Sequence, residues 1–298
     1  MLTSLDGAAV RRWAAACCDE LAVHRHEIDE LNVFPVADQD TGSNLLATMR
    51  AGLEAVLRED DQNDAADRTA AVLARGALMG ARGNSGVIVS QVLRGLAESL
   101  ADAGSYDGAA LREGLRRAEE LAVAAVSNPV AGTVLSVLHA AVQAAALVGS
   151  DDLCEVVSVA STAAARALAD TPRQLAVLAR AGVVDAGGQG LVLLLEALLA
   201  VVTECSARSV VAAAVPARPP HALQAVREGG SAEYGYEVMY LLDGTDEARV
   251  GALRAELGAL GDCVAIVGTG ERTGELPALW NVHVHCSDIG AAIEAGVR

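Results

Sequence analysis

Not one of the 298 residues is a lysine. That absence removes the lysine-bearing phosphate loop G-x-x-x-x-G-K-[ST] and any Schiff-base chemistry. Handling of phosphate must then rest on metals, backbone N–H groups and arginine. Aromatic residues are scarce too, 2% of the chain against 52% hydrophobic overall, so the core is built of Ala, Val and Leu. Ala- and Leu-rich text with regular polar spacing favours closely packed helices. Positive charge is in deficit, 22 Lys+Arg against 39 Asp+Glu and a net charge of −17, which argues against a nucleic-acid surface and against binding to anionic membranes.

The six cysteines (Cys17, Cys18, Cys154, Cys205, Cys263 and Cys286) form no C-x-x-C pair and no framework spacing. They read as buried thiols of a reducing compartment. Residues 1–6 lack the basic and apolar regions of a signal peptide. The apolar run 189–202 is interrupted by Glu196 and is short for a bilayer. The expectation is a cytoplasmic protein with no membrane insertion.

Alternation long enough for a strand is also missing before Val210. What stands there instead is helical spacing. Over residues 4–31, Leu5, Val10, Trp13, Ala14, Cys17, Leu21 and Ile28 fall roughly on one side. Further helices are expected near 44–59, 64–79, 86–103, 108–126, 131–148, 151–169, 172–181 and 189–206. Short connections between so many helices predict an antiparallel bundle with sites at helix ends. His24 and His26 lie two apart on the first helix and share no face, so they make a poor metal pair.

Residues 207–221 are rich in Ala, Val and Pro and read as the start of a linker that spans 207–232. The text then changes character. Strands are expected at 234–242, 263–268 and 280–286, with helices at 246–260 and 288–297. The domain reading is therefore 1–206 helical, 207–232 linker and 233–298 a small α/β domain.

One turn gathers an unusual set of groups: Asn32-Val33-Phe34-Pro35-Val36-Ala37-Asp38-Gln39-Asp40-Thr41-Gly42-Ser43-Asn44. Asp38 and Asp40 are two apart, so in an extended segment their side chains point the same way. Two carboxylates that close repel unless a cation sits between them, and oxygen ligands suit Mg²⁺, Ca²⁺ or Mn²⁺. A helix follows with Thr41 or Ser43 as its cap, and a helix N-terminus beside a held cation is a phosphate site. The alternative is an Asx-rich turn with an ordinary helix cap. Three more glycine-rich connections, at 80–86, 128–133 and 185–190, precede helices. In an up-and-down bundle alternate connections fall at one end, so several could converge on one phosphate.

Three stretches together resemble the dihydroxyacetone-kinase L-domain (DhaL) family: residues 32–44, Gly80-Ala81-Arg82-Gly83-Asn84-Ser85-Gly86-Val87-Ile88, and Val183-Val184-Asp185-Ala186-Gly187-Gly188-Gln189-Gly190. The first is similar to the N-V-F-P-V-P-D-G-D-T-G-T-N of the ATP-binding subunit of bacterial fatty acid kinase. Tyr234-Gly235-Tyr236 and Val282-His283-Val284-His285 resemble that subunit's middle domain. The resemblance covers nearly the whole chain and implies a mainly α fold: an eight-helix antiparallel barrel followed by a small α/β domain.

It implies ATP as cofactor with Mg²⁺ on Asp38 and Asp40, the catalytic pair. Asn32 stands where dihydroxyacetone kinases have a third aspartate. It also implies a nucleotide site of Thr41, Gly42, Ser43, Asn44, Gly83, Asn84, Ser85, Gly86, Thr133, Asp185, Gly187 and Gly188. The acceptor would be the carboxylate of a fatty acid carried by a separate fatty-acid-binding protein, and the product an acyl phosphate that enters phospholipid metabolism. The alternatives are the L subunit of a dihydroxyacetone (glycerone) kinase and a non-catalytic nucleotide-binding regulator. A homodimer is a further expectation.

The sequence departs from the family in several places. Gln39 replaces glycine, Ala37 replaces proline, and Glu237 stands where the fatty acid kinase middle domain has a cysteine that joins two histidines at zinc. Glu237, His283 and His285 remain a candidate Zn²⁺ set, since His283 and His285 share a strand face. The alternative is that both histidines lie on an exposed sheet face. The chain stops at Arg298, where such subunits continue.

Overall fold

The structure is a computed structural model and describes residues 1–59, 65–101, 105–204, 234–269 and 278–298. The expected linker at 207–232 lies outside the described residues. The helical part comprises α1 (Gly7–Leu31), α2 (Thr41–Arg58), α3 (Ala66–Met79), α4 (Gly83–Ala101), α5 (Gly108–Ala125), α6 (Val134–Ala146), α7 (Leu153–Gln174), α8 (Ala176–Ala181) and α9 (Ala186–Thr203). Four of these helices begin on an aspartate that accepts first-turn N–H groups: Asp6 from Ala9, Asp107 from Ala109 and Ala110, Asp152 from Glu155, and Asp185 from Gly188. Such caps satisfy donors the helix itself cannot.

All seven apolar positions singled out between Leu5 and Ile28 are buried. Eight long helices, with the short α8 as a connector, pack each against the next, and α9 closes the barrel against α1 and α7. By length and composition α9 could cross a membrane, and 72% of it is buried inside this barrel. It is longer than the apolar run alone suggested because it begins at Ala186.

Several boundaries differ from the sequence reading. Helix α7 continues through Pro172 to Gln174 instead of stopping near 169. Proline withdraws the N–H that would reach Leu168, and the Thr171 hydroxyl donates to the Leu168 carbonyl instead, at 2.7 Å. Helices α2, α4 and α9 start about three residues earlier than expected, so their glycines sit inside the first turn. These glycines let neighbouring elements touch. A Cβ on Gly42 would lie 2.3 Å from the Arg25 carbonyl of α1.

The small domain is a three-stranded antiparallel sheet in the order β1 (Tyr236–Asp243), β3 (Leu279–Cys286), β2 (Gly261–Gly268). Helices α10 (Glu247–Leu260) and α11 (Ile289–Val297) complete it. Alternation along the strands divides the two faces. Val238, Ile266, Val282 and Val284 pack with Val250, Leu253 and Ala292 of the helices. The opposite face meets the barrel, where Ala265 and Val267 cluster with Leu78, Ala81, Val87 and Ala125. Three side-chain bonds close this seam: Asn281 Nδ2 to the Leu78 carbonyl at 3.0 Å, Arg94 to Gly268 at 2.8 Å, and Ser127 to Val264 at 2.6 Å. An antiparallel bridge joins Val126 to Ala265. The histidines of β3 therefore do not lie on an exposed face: His283 is fully buried and His285 is 9% exposed.

Candidate active site

The N-termini of α2, α4, α6 and α9 converge at one end of the barrel, as alternate connections in an up-and-down bundle must. They border two adjoining spaces. One is a cleft of about 360 Å³ lined by Phe34, Pro35 and Thr41, by Asn84 and Ser85, by Val126–Asn128, by Thr133–Leu135, by Asp185 and Gly187, and by Asp262–Val264 of the small domain. The other is a polar cavity of about 30 Å³ lined by Asn32, Asp38, Asp40, Asn44, Gly83–Ser85, Glu237, His283 and His285. Since one water needs roughly 10–15 Å³ of such space, the second holds ions or waters, and only the first can take a base and ribose.

At the polar cavity Asn32 is 3% exposed, and its Nδ2 donates to Asp38 at 2.5 Å and to Asp40 at 3.5 Å. Burial, and then the Asp38 charge beside it, push the Asp40 carboxyl up to about 7. An acidic pair held this close, with only an amide between, is a set of hard oxygen donors that fits a divalent cation. Asp40 is the residue that precedes α2, yet its side chain does not cap that helix. Neither Thr41 nor Ser43 is the cap. Asp29 on α1 does that work: it accepts from the Ser43 N–H and the Ser43 hydroxyl, both at 2.9 Å. Asp29 was not legible from the sequence, since its only signal is an acidic residue one helix away.

The turn between the aspartates contains Gln39 at φ +59. This is the left-handed region in which L-residues other than Gly, Asn and Asp are strained by roughly 1–2 kcal/mol. Gln39, where the family has glycine, therefore holds the turn in a left-handed conformation at a cost in strain. Gln39→Gly should raise stability, by up to about 1 kcal/mol once the entropy of glycine in the unfolded chain is counted. Urea unfolding at fixed Mg²⁺ checks this, and a lower midpoint would refute it.

The other sequence-predicted residues divide. Thr41, Asn44, Gly83, Asn84, Ser85, Thr133, Asp185 and Gly187 line one or both spaces. Gly83 starts α4 at φ +55 with the Asn44 amide against it, so no side chain fits there. Gly42, Ser43, Gly86 and Gly188 line neither space. Gly42 and Ser43 turn to α1, Gly86 lies against Thr48, and Gly188 donates its N–H to Asp185 at 2.7 Å. Asp185, buried, is pushed up to about 6 by that burial, against the pull of the Gly188 and Val134 N–H groups. It thus ties the starts of α6 and α9 together behind the cleft. His24 and His26 pair with glutamates of their own helix and reach neither space.

In the small domain Glu237 is paired with His285 across β1 and β3, and Asp262 with His285 across β2 and β3. The His283 and His285 rings are 4.9 Å apart. Glu237 Oε1 stands 3.1 Å from His283 Nδ1, and among the described residues the buried Nε2 of His283 has no hydrogen-bond partner. A hydrogen bond from the His283 ring, opposed by burial, holds the Glu237 carboxyl below its usual range. Burial, and then His283, hold the His285 ring below its usual value, which keeps it a neutral donor at pH 7. The ligand atoms of Glu237, His283 and His285 all lie within 4.8 Å of one another, a set that fits a metal ion.

A model of the DAK2 domain matches residues 35–200. The chain belongs to the DAK2 domain family. The DAK2 match ends within α9, and residues 233–298 match the FakA-like middle domain of fatty acid kinases. Among curated proteins, protein YloV of Bacillus subtilis is 32% identical over 97% of this chain and 52% of its own length. The uncharacterized proteins SSP1546 of Staphylococcus saprophyticus and SAB1090 of Staphylococcus aureus are each 36% identical over 67% of this chain and 36% of their own length. The chain spans about half the length, or less, of these relatives. A DAK2 domain joined to such a middle domain marks a kinase-related protein of the fatty acid kinase-like kind.

Proposed function

We propose that the chain is the ATP-binding, phosphoryl-transferring part of a cytoplasmic fatty acid kinase-like system. Its acceptor is the carboxylate of a fatty acid presented by a separate fatty-acid-binding protein. The observation that carries this reading is the Asn32–Asp38–Asp40 cluster at the mouth of a cleft bordered by four helix N-termini.

In this reading the nucleotide's base and ribose lie in the larger cleft and its phosphates reach the polar cavity. Magnesium, when bound there, supplies neutralisation of the phosphate oxygens. Asp38, Asp40 and Asn32, with its amide turned to present oxygen, hold the ions. The first-turn N–H groups of α4 at Gly83, Asn84 and Ser85 have no partner within the helix and face phosphate. Asp185 keeps the α6 and α9 starts in register. The acceptor carboxylate is ionised at neutral pH, so no general base is required. One of its oxygens bonds to the γ-phosphorus as the bond to the ADP oxygen breaks, giving acyl phosphate and ADP with no proton moved. That suits a site in which positioning and charge carry phosphoryl transfer. Zinc is the expected ion on Glu237, His283 and His285, the two-histidine, one-carboxylate set.

The test is transfer from γ-labelled ATP to a fatty acid loaded on its binding protein, with the product trapped by hydroxylamine and the longer Bacillus subtilis relative run as a control. Labelled hydroxamate-forming product supports the reading. Transfer to dihydroxyacetone in the presence of its carrier subunit would instead make the chain an L-type subunit. Tight Mg-ATP binding with neither transfer would make it a regulator.

A further inference from the structure

The larger cleft is not made by the barrel alone. Asp262, Cys263 and Val264 of β2 form part of its wall. They lie where the pairing of β2 with β3 shifts register, between Asp262 and Ala265, and Cys263 there has φ +53. That φ is strained for an L-residue, and a bulge of this kind re-aims the side chains beside it. Strained backbone of this sort gathers at ligand clamps.

Two contacts place the bulge along the cleft. The Asn84 amide lies within hydrogen-bonding reach of the Cys263 thiol, and Asn84 borders both the cleft and the polar cavity. Asp262 Oδ1 stands 4.0 Å from Nδ1 of His285, another residue of the polar cavity. The bulge therefore stands where the cleft opens toward the phosphates. The far end of the cleft is apolar. Val130 and Leu135 there also border an outer groove beside α5, α6 and α7 that shares no residue with the polar cavity. A base at the apolar end and phosphates at the polar cavity leave the ribose between them, beside the bulge. Two carboxylates line the cleft. Asp185 is buried and held by the N–H groups of Gly188 and Val134. The Asp262 side chain is 50% exposed, and its distance to His285 is too long for a hydrogen bond.

We propose that Asp262 accepts from the 2′- and 3′-hydroxyls of the nucleotide's ribose, so that the small domain supplies a specificity-determining residue for ribonucleotides. This rests on the kinase reading above. A carboxylate offers two acceptor oxygens, which match two vicinal hydroxyl donors. A site built to hydrogen-bond a hydroxyl discriminates strongly against the analogue that lacks it.

The experiment is calorimetry of the full chain with Mg²⁺, comparing ADP with 2′,3′-dideoxy-ADP in the wild type and in Asp262→Ala. The wild type is expected to bind ADP roughly ten- to a hundred-fold more tightly than the dideoxy analogue. Asp262→Ala should remove most of that ratio and leave the dideoxy affinity near that of the wild type. Asp262→Asn keeps one acceptor oxygen and should fall between. Equal affinities for the two nucleotides in the wild type overturn the inference without any variant. So does an Asp262→Ala protein weakened by the same factor toward both, which is what a purely structural role in β2 would produce. Either result leaves the kinase reading standing, since ADP still binds. A wild-type chain that binds neither nucleotide sinks that reading and the inference with it.

Discussion

Asp38→Ala and Asp40→Ala should each abolish Mg²⁺-dependent nucleotide binding while helicity stays near that of the wild type. Both carboxylates face the polar cavity, and the helices behind them are capped by other residues, Asp29 among them. Loss of either leaves one oxygen donor group and the Asn32 amide, too few for a cation that must also meet phosphate. Calorimetry with Mg²⁺ and a non-hydrolysable ATP analogue checks this, and unchanged affinity in both variants would refute it. The same pair sets a pH dependence. The folded-state value of Asp40, about 7, lies above its unfolded value, and that of Asp185, about 6, does too. Stability of the metal-free protein is therefore highest below about pH 4 as far as these groups are concerned, and falls as pH rises through 6 to 7. Mg²⁺ requires the ionised form, so its affinity rises over the same window and levels above it, with proton release on binding near pH 6. Asp40→Ala should flatten the metal-free profile and raise its stability at pH 8. A profile unchanged by the substitution would refute the assignment.

Gly42→Ala should destabilise the protein by about 1–3 kcal/mol, the range for overpacking a rigid contact. Elsewhere in a helix the same exchange is favourable by up to about 1 kcal/mol. At Gly42 the new methyl would meet the Arg25 carbonyl at 2.3 Å and the Asp29 carboxylate and Ile28 at 3.0 Å. The backbone carbonyl cannot rotate away, so α2 must move off α1. Its first turn carries the Asp40–Thr41 corner, and Mg-nucleotide affinity should fall with stability. Gly251→Ala in α10, where nothing lies within 4 Å, is the matched control and should stabilise. Equal effects at both positions in urea unfolding and calorimetry would show that the α1–α2 contact does not seat the turn.

The helices were legible because apolar spacing in a barrel with a single interior is dictated by burial, and Leu5 with the six apolar positions singled out in α1 obeys it. The acidic turn was legible because two carboxylates, an amide and a helix start within 13 residues have few structural uses. What stayed hidden was tertiary. Glycine reads as a breaker in a one-dimensional text, whereas Gly42 and Gly86 sit within helices and mark where another element presses close. Phe34, Ser127, Asp262 and Cys263 border the cleft through the docking of distant segments, for which no local pattern exists. The histidines of β3 show the same limit: alternation placed them on one face but could not say that the barrel covers it.

The seam between barrel and small domain has an asymmetry with an evolutionary consequence. Asn281, Arg94 and Ser127 all donate to main-chain carbonyls, of Leu78, Gly268 and Val264. Every residue type has that carbonyl, so exchanging the side chain on the accepting side erases none of these bonds. Drift can erase these three bonds only at the donor positions, two on the barrel and one on the sheet, while the accepting positions are held by packing instead: Leu78 in the apolar cluster of the seam, Val264 in the core of the small domain and Gly268 against the Trp280 ring.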